Sequence, residues 1–229
     1  MTGNRLSAIE RYDMVTATRV RLASAAFLIA GVLFTAYPAL RPFSDEVGLS
    51  GAAAFGSQAW IVAHVLAIFA FVLVVLGLLG VWLRLASTRA ERAAFVGLVL
   101  SWMGAGLLLP FYGAEVFGLH AIGQAALARS DPSLVTLADA VRGEPGIWFI
   151  LLGLALLAIG VITAAVAMWR SGIFKKWIAL PLALGFALYI PQFAAAQSVR
   201  VAHGVLIMVG CVLIAWDIIR SNGTVLRGR

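Results

Sequence analysis

Charged residues are scarce in this chain of 229 residues. Asp, Glu, Lys and Arg make up 12% of it, whereas 62% of the residues are hydrophobic. Because a soluble domain carries about 25% charged residues, this composition excludes an ordinary water-soluble fold. Apolar runs of about 20 residues indicate membrane-spanning helices instead. The net charge of +7 is then explained by basic residues beside the spans, and we do not expect a nucleic-acid partner.

Cysteine and local metal motifs are also lacking. The single cysteine, Cys211, excludes an intramolecular disulfide and every metal or redox motif that needs two cysteines. It lies within an apolar run, where we expect a small core residue. The chain has three histidines, and no two of them form an H-E-x-x-H or H-x-x-x-H pair. A metal site would therefore have to be assembled by tertiary contacts.

Six apolar segments are long enough to cross a bilayer. At about 1.5 Å per helical residue, each can span a hydrocarbon core of about 30 Å. Segments that span lipid are helices or strands of closed barrels, and these runs are too long for barrel strands. We therefore predict an all-α, polytopic protein with a single membrane domain over residues 1–229. The predicted spans are 20–38, 58–85, 93–117, 147–169, 176–195 and 199–219.

Basic residues are unequally distributed between the two sets of segments that flank the spans. Thirteen of the 17 lysines and arginines lie in one set, which includes both ends of the chain. The positive-inside rule therefore predicts that both termini are cytoplasmic. Richness in Ala, Arg and Gly, with only two lysines, is typical of a GC-rich bacterial gene, so we expect the bacterial inner (plasma) membrane. The other set contains Arg41, Arg129, Arg142 and Arg200.

The first two loops on the predicted outer side differ in their sequences. Residues 39–56 are rich in Gly and Ala, and we expect them to be irregular. Within residues 121–143, Asp131 followed by Pro132 is a helix-start signal, apolar residues follow at helical spacing, and Gly143 ends the pattern. This second loop is therefore predicted to contain a short amphipathic helix that lies over the bundle.

The middle of every predicted span lacks Asp, Glu, Lys, Arg and His. Transporters coupled to ions or protons usually keep such residues near the midplane of the membrane. A charge-coupled transporter is therefore disfavoured. The ionisable residues in or beside the spans lie mainly at the predicted outer ends, where a functional site is expected.

Three histidines and one glutamate are predicted to lie at similar depth on the outer side. Imidazole and carboxylate groups are ligands for zinc, copper or iron. Two histidines from different helices could instead ligate haem b axially, and the glutamate could be a general base on metal-bound water. The alternative is that each histidine is an interfacial residue or satisfies a helix end. The candidates are His64, His120, His203 and Glu115, with His64 and His203 as the haem ligands.

Three further residues are candidates for contacts with a substrate or partner. Tyr112 precedes Glu115 by three residues and Arg200 precedes His203 by three, so each pair shares one helix face. Arg142 and Glu144 lie at the entry to the fourth predicted span. Either arginine could bind a lipid phosphate or Glu115. Alternatively, both are side chains that snorkel to the membrane interface.

Three classes of function remain open from the sequence. The first is a metal- or haem-dependent enzyme or redox protein that acts on an apolar or lipid-like molecule. The second is a non-enzymatic or permease-like protein that binds a lipid or another apolar small molecule without a metal. The third is an accessory subunit whose outer surface docks a membrane partner or a second copy of the chain.

Overall fold

The computed structural model describes the backbone of residues 8–227 and the side chains of residues 16–220. Within these residues the chain forms helices and connecting turns without a strand, which confirms the predicted all-α class. Five helical stretches are long and apolar enough to cross a membrane, as a multi-pass membrane protein requires. They are Thr16–Leu40, Gln58–Leu85, Glu91–Arg129, Gly146–Ser171 and Gln197–Arg220.

The described α-helices are numbered in chain order. Short turns of other helical types connect some of them: a π-helical turn, Ala114–Gly118, and two 3-10 turns, Pro132–Thr136 and Pro191–Ala194. The α-helices are α1 (Ala8–Leu40), α2 (Gly48–Phe55), α3 (Gln58–Leu85), α4 (Glu91–Gly113), α5 (Leu119–Arg129), α6 (Leu137–Arg142), α7 (Gly146–Ser171), α8 (Leu180–Ala187) and α9 (Gln197–Arg227).

The predicted span over residues 176–195 is not a continuous helix, and six spans are not confirmed. The eight residues of α8 cover only about 12 Å at 1.5 Å per residue. Trp177 has a φ of +69°, a left-handed conformation that interrupts a helix. Pro191, which lacks an amide donor, begins the 3-10 turn after α8. Apolar composition thus predicted this segment without showing that its backbone is irregular.

The irregular segment nevertheless contacts both ends of the bundle. The ring of Trp177 lies 4.0 Å from that of Trp169 in the last turns of α7. Tyr189 lies 5.1 Å from His203 near the start of α9. The chain therefore returns from the end of α7 to the end of the bundle where α9 begins.

Glycines allow the long helices to pack closely. The main pairings are α4 with α7, and α1 with both α3 and α9. A Cβ atom on Gly104 would lie 2.5 Å from the carbonyl oxygen of Gly153, and one on Gly31 would lie 3.0 Å from the Cα atom of Met208. Because lipid tails are as apolar as the helices, such close backbone packing stabilises the bundle in place of the hydrophobic effect.

A continuous helical stretch carries the chain beyond the predicted third span. Residues Glu91–Arg129 include α4, the π-helical turn and α5, and they number 39. At 1.5 Å per residue this stretch is about 58 Å long, almost twice the thickness of a hydrocarbon core of about 30 Å. The prediction of 93–117 therefore lies within a longer helical element, whose distal part packs against other protein segments.

A smaller apolar cluster covers one end of the bundle, which we call the cap end. It is formed by α2, α5, α6 and the first turn of α3. The prediction that residues 39–56 are irregular is wrong for 48–55, because Ala52 and Phe55 of α2 are fully buried against this cluster. Its buried members are Ala52, Phe55, Trp60, Leu119, Ala126, Val135 and Ala138.

The second loop contains a short helical segment over residues 132–142. The Asp131 carboxylate accepts a hydrogen bond from the amide of Ser133 at its start, and Gly143 follows its end. The first half is a 3-10 turn, whereas the second half is α6. Its buried residues join the cap cluster, so that the apolar face of this segment packs on α2 and α5.

Candidate functional site

Most of the predicted site residues surround one cavity at the cap end. The cavity has a volume of about 420 Å³. Its walls come from the ends of α1 and α4, the starts of α3, α7 and α9, and the loops between them. The predicted residues that line it are His64, Tyr112, Glu115, Arg142 and Arg200.

The π-helical turn places Glu115 beside the cavity. Pro110 removes one amide donor from the last part of α4, and the wider turn follows at Ala114–Gly118. Such turns insert an extra residue into a helix and are frequent at functional sites. The indole N–H of Trp60 donates to the carbonyl oxygen of Glu115 at 3.0 Å, which ties the turn to α3.

Arg142 binds two carboxylates at the rim of the cavity. Its Nε and Nη2 atoms donate to the two carboxylate oxygens of Glu115 at 2.6 and 3.2 Å. Its Nη1 atom donates to Oε2 of Glu46 at 2.6 Å, and Arg41 donates to Oε1 of Glu46. A guanidinium fits carboxylates in this forked geometry. We call these four residues the clasp, because they join the loop after α1, the π-helical turn and the end of α6.

At Glu46 and Arg142, the contacts within the clasp have a larger effect on the pKa than burial has. Burial by itself raises the pKa of Glu46, but the positive charges of Arg142 and Arg41 hold that pKa below its ordinary value. Burial likewise lowers the pKa of Arg142, yet its bonds to Glu115 and the charges of Glu115 and Glu46 raise it overall. Both groups are therefore ionised at neutral pH.

His64 lies next to the clasp and is almost fully buried. Its Nδ1 atom lies 2.8 Å from the carbonyl oxygen of Trp60. Because a carbonyl can only accept, Nδ1 carries the proton of this bond. In the neutral ring, Nε2 is then an acceptor, and it lies 4.0 Å from Oε2 of Glu115. His64 thus offers a fixed hydrogen-bond acceptor at the wall of the cavity.

The other two histidines do not line the cavity. Nδ1 of His120 lies 3.0 Å from the carbonyl oxygen of Phe55, and Nε2 of His203 lies 2.7 Å from that of Gly185. Each histidine therefore satisfies a backbone carbonyl from another part of the chain. These contacts agree with the alternative that the two histidines have a structural role and are not ligands.

The predicted metal or haem site is not supported. Among the described residues, no group of three or more His, Cys, Asp or Glu side chains could hold a metal ion. The candidates do not form a ligand set because each one binds another protein group instead. The histidines bind backbone carbonyls, and Glu115 binds Arg142. Of the four candidates, His64 and Glu115 lie side by side, with 4.0 Å between Nε2 and Oε2, whereas His120 and His203 bind the carbonyl oxygens of Phe55 and Gly185 away from them.

The general-base role predicted for Glu115 has little geometric support. Both of its carboxylate oxygens accept hydrogen bonds from Arg142, as the oxygens of a structural carboxylate do. A general base needs an oxygen that can approach a substrate proton. The Nε2 atom of His64 is the better-placed acceptor, and the role of Glu115 as a base stays a prediction.

Aromatic rings form the floor of the cavity. The ring of Tyr37 lies 5.4 Å from that of His64 and 6.2 Å from that of Tyr112. Phe71 lies 5.2 Å from Tyr112. The steep angles between these rings are those of edge-to-face packing, which stabilises aromatic pairs beyond their buried area. The floor is therefore a packed layer with phenol groups next to the cavity.

Arg200 binds differently from the arginines of the clasp. Its Nε atom donates to the carbonyl oxygen of Ala195 at 2.9 Å, and Nη2 donates to that of Phe193. Its guanidinium carbon lies 5.1 Å from the centre of the Phe43 ring. Within the described part of the chain Arg200 forms no ion pair, so its charge has no carboxylate contact.

The cavity also has an apolar wall. This wall is formed by the last turn of α4, the start of α7 and the 3-10 turn before α9. The polar groups of the clasp, His64 and Arg200 also line the cavity, so its lining is amphipathic. The residues of the apolar wall are Phe111, Ile147, Ile150, Leu151 and Phe193.

Sequence analysis missed three residues of this site. Arg41 and Glu46 lie in a loop expected to be irregular, and Trp60 lies within the predicted span 58–85 without any feature that marks it as a site residue. One signal could have identified the first two: they are opposite charges five residues apart in a region that is otherwise nearly uncharged. The bond from Trp60 to the main chain of Glu115 has no counterpart in the sequence.

Comparison of the chain with protein-family models, with curated proteins and with solved structures found no match. The function is therefore inferred from the geometry of the cavity and its walls.

Proposed function

We propose that this membrane protein binds a lipid-like, amphiphilic molecule in the cap-end cavity. The apolar part of the molecule packs against the wall that includes Phe111 and Ile150, and its polar part faces His64 and Arg200. One observation carries the proposal: apolar and polar side chains line the same cavity, and the polar ones include an arginine that has no carboxylate contact among the described residues. Sites of this kind combine apolar walls with a few placed polar groups.

The size of the cavity supports a small ligand or one part of a larger lipid. Its volume of about 420 Å³ falls within the range of about 300–1,000 Å³ typical of small-molecule sites. A volume near the lower limit accommodates a head group with the first part of an alkyl chain. The remaining length of a lipid would extend from the cavity into the bilayer.

A binding protein is favoured over a metal- or haem-dependent enzyme. The described residues contain no group of ligands that could hold a metal, and both carboxylate oxygens of Glu115 already accept hydrogen bonds from Arg142. The cavity, in contrast, is assembled from five stretches of the chain and keeps His64 and Arg200 available to a ligand. Binding or permease-like handling of an amphiphile therefore uses the groups that are present.

A matched pair of substitutions on α7 tests the proposal. Ile150 lines the cavity and is buried, whereas Leu152 is 54% exposed and lies outside the cavity. Ile150→Trp is expected to fill the cavity, and Leu152→Trp changes only the exposed surface. Native mass spectrometry of protein purified in a mild detergent should find a bound amphiphile in the wild type and in Leu152→Trp, but not in Ile150→Trp.

Two results would overturn this proposal. One is a wild-type protein that carries no amphiphile and gains none when lipids from its host membrane are added back. The other is equal occupancy in both variants, provided that each elutes as a folded species with a melting temperature close to that of the wild type.

We further propose six membrane crossings, with both termini in the cytoplasm and the cap end outside a bacterial inner membrane. The return of the chain between Trp177 and Tyr189 to the cap end supports the sixth crossing, even though its helix is interrupted. Thirteen of the 17 basic residues lie in the segments assigned to the cytoplasm, which supports the orientation. A juxtamembrane excess of basic residues is the usual mark of the cytoplasmic side.

Cysteine labelling tests this topology. In a Cys211→Ser background, single substitutions are made at exposed positions of the cap end, Ser50→Cys and Ser198→Cys, and of the opposite end, Ser87→Cys and Lys175→Cys. A membrane-impermeant maleimide added to spheroplasts should label the first two positions and not the others. Labelling of Ser198→Cys only after the membrane is opened would refute the sixth crossing.

A further inference from the structure

We infer that the polar end of the bound amphiphile is an oxyanion, such as a phosphate or carboxylate, and that Arg200 is the residue that binds it. This inference rests on the proposed binding of an amphiphile. It adds the charge of the ligand and the direction in which the ligand lies in the cavity.

The charges of the clasp balance one another. Arg41 and Arg142 contribute two positive charges, and Glu46 and Glu115 contribute two carboxylates. Each of the four carboxylate oxygens accepts a hydrogen bond from a guanidinium. The clasp is therefore complete without a ligand, and an added anion would have to displace a carboxylate to bind there.

Arg200 adds a positive charge that these contacts do not neutralise. Its hydrogen bonds reach the carbonyl oxygens of Phe193 and Ala195, which carry no formal charge. The remaining acid of the cavity lining, Asp45, is exposed and accepts a hydrogen bond from the hydroxyl group of Ser50 at 3.2 Å. Among the described residues, Arg200 is thus the cation of the cavity that has no carboxylate contact.

The two carbonyls also fix the orientation of the Arg200 guanidinium. Nε and Nη2 are engaged, and the guanidinium lies over the ring of Phe43. The Nη1 atom makes no hydrogen bond to any of the described residues, so its N–H groups are available to a ligand. A side chain that is already ordered loses little conformational entropy on binding. Guanidinium groups bind carboxylate and phosphate oxygens through strong, charge-assisted hydrogen bonds.

The position of Arg200 determines how the ligand lies in the cavity. Phe193, whose carbonyl oxygen accepts from Arg200, also contributes its side chain to the apolar wall. An oxyanion at Arg200 therefore lies at one edge of the apolar wall, and its alkyl chain can follow Ile147 and Ile150. A neutral head group would leave the charge of Arg200 without an anionic partner, whereas an oxyanion would give it a charge-assisted hydrogen bond.

Three probes test whether the site binds an oxyanion, an alkyl chain or both. Decyl phosphate has an oxyanion and a chain, decanol has the chain alone, and inorganic phosphate has the oxyanion alone. The binding of each to the full chain in nonionic detergent micelles is followed through the melting temperature and by titration. We expect decyl phosphate to bind more tightly than decanol, and inorganic phosphate to bind weakly.

Substitution of Arg200 identifies the residue responsible. Arg200→Gln is expected to weaken decyl phosphate binding by about 10- to 100-fold, the effect of one charge-assisted hydrogen bond, without changing decanol binding. Arg200→Lys should restore part of the affinity, because it keeps the charge without the fork. Arg129→Gln is the control, since Arg129 is exposed on α5 and does not line the cavity.

The outcomes distinguish this inference from the proposed function. If decanol and decyl phosphate bind equally, and Arg200→Gln affects neither, the oxyanion inference is overturned and amphiphile binding stands. If neither alkyl probe binds, both proposals fail. If inorganic phosphate binds as tightly as decyl phosphate, the site takes a free anion, which overturns the assignment to an amphiphile.

A second measurement applies if Arg200→Gln does not fold, because Arg200 also holds the 3-10 turn before α9. Salt screens the attraction between an oxyanion and a guanidinium, and has little effect on an alcohol. Raising the ionic strength should therefore weaken the binding of decyl phosphate to the wild type and leave that of decanol unchanged. Equal salt dependence of the two probes would refute the inference.

Discussion

Removal of Arg142 should destabilise the fold more than the removal of any exposed arginine. Arg142→Gln deletes the two hydrogen bonds to Glu115 and the one to Glu46. Glu46 keeps its contact with Arg41, but Glu115 loses its arginine and is left with His64 as its nearest basic group, at 4.0 Å. A carboxylate in a partly buried site without a full partner is costly.

The expected magnitude follows from the exposure of the two side chains. Breaking a buried ion pair costs about 3–5 kcal/mol, whereas breaking an exposed pair costs less than about 1 kcal/mol. The side chain of Arg142 is 29% exposed and that of Glu115 is 11% exposed. The pair lies between these limits and nearer the buried one, so we expect a loss of about 2–3 kcal/mol.

Unfolding in mixed micelles of a mild detergent and sodium dodecyl sulfate measures this loss. Arg129→Gln serves as the control and should change the free energy of unfolding by no more than about 0.5 kcal/mol, as is usual for surface substitutions. A double-mutant cycle with Glu115→Gln isolates the interaction. Glu115 loses its ion pair in Arg142→Gln, whereas Arg142 keeps its contact with Glu46 in Glu115→Gln. The coupling energy between Arg142 and Glu115 should therefore reach about 1–2 kcal/mol.

The reasoning would be refuted by a small effect or by additivity. If Arg142→Gln costs no more than Arg129→Gln, the clasp does not stabilise the fold. If the effects of Arg142→Gln and Glu115→Gln simply add, the two side chains do not interact energetically, and their forked contact contributes nothing to stability.

Two further predictions concern helix packing and pH. Gly104→Ala should lower the melting temperature, because its Cβ would lie 2.5 Å from the main chain of Gly153, whereas Gly106→Ala has no atom within 4 Å and should leave it unchanged or raise it; equal effects would contradict the packing argument. Since the pKa of Glu46 is lowered, its contribution to stability is present above its ordinary pKa of 4.5 and is lost as the pH falls through the lowered value. The melting temperature of the wild type should therefore decrease more at acidic pH than that of Glu46→Gln, and parallel acid profiles would disprove this origin.

The sequence predicted the membrane-crossing helices best where apolar composition and helical regularity coincide. The predicted span 58–85 has the same bounds as α3. Composition reports solubility in lipid but not the regularity of the backbone, which is why it did not reveal the left-handed turn at Trp177. It also ended the third span at residue 117, although the helical stretch continues to Arg129 because its distal turns pack on the cap cluster.

The sequence located the candidate site but not the contacts within it. Scarcity of charge made Glu115, Arg142 and Arg200 conspicuous near the ends of apolar runs, and all three line one cavity. The pairing of Arg142 with Glu115 joins residues 27 positions apart, and that with Glu46 joins residues 96 positions apart. No periodicity connects such residues. Their partners depend on how the cap packs, and the same packing places His120 on the carbonyl oxygen of Phe55.

The packing of α1 against α9 sets an order for the biosynthesis of the protein. Thr35 and Met208, which meet across this contact, are separated by 173 residues. At about 5–20 residues per second, the ribosome needs roughly 10–35 s to make the chain between them. During that time the surface of α1 around Gly31, which packs against Met208 in the folded protein, has no α9 to contact. Because Tyr37 from α1 and Arg200 from α9 both line the cavity, the cavity is complete only when the last helix has packed, and binding of the proposed amphiphile would report a fully assembled molecule.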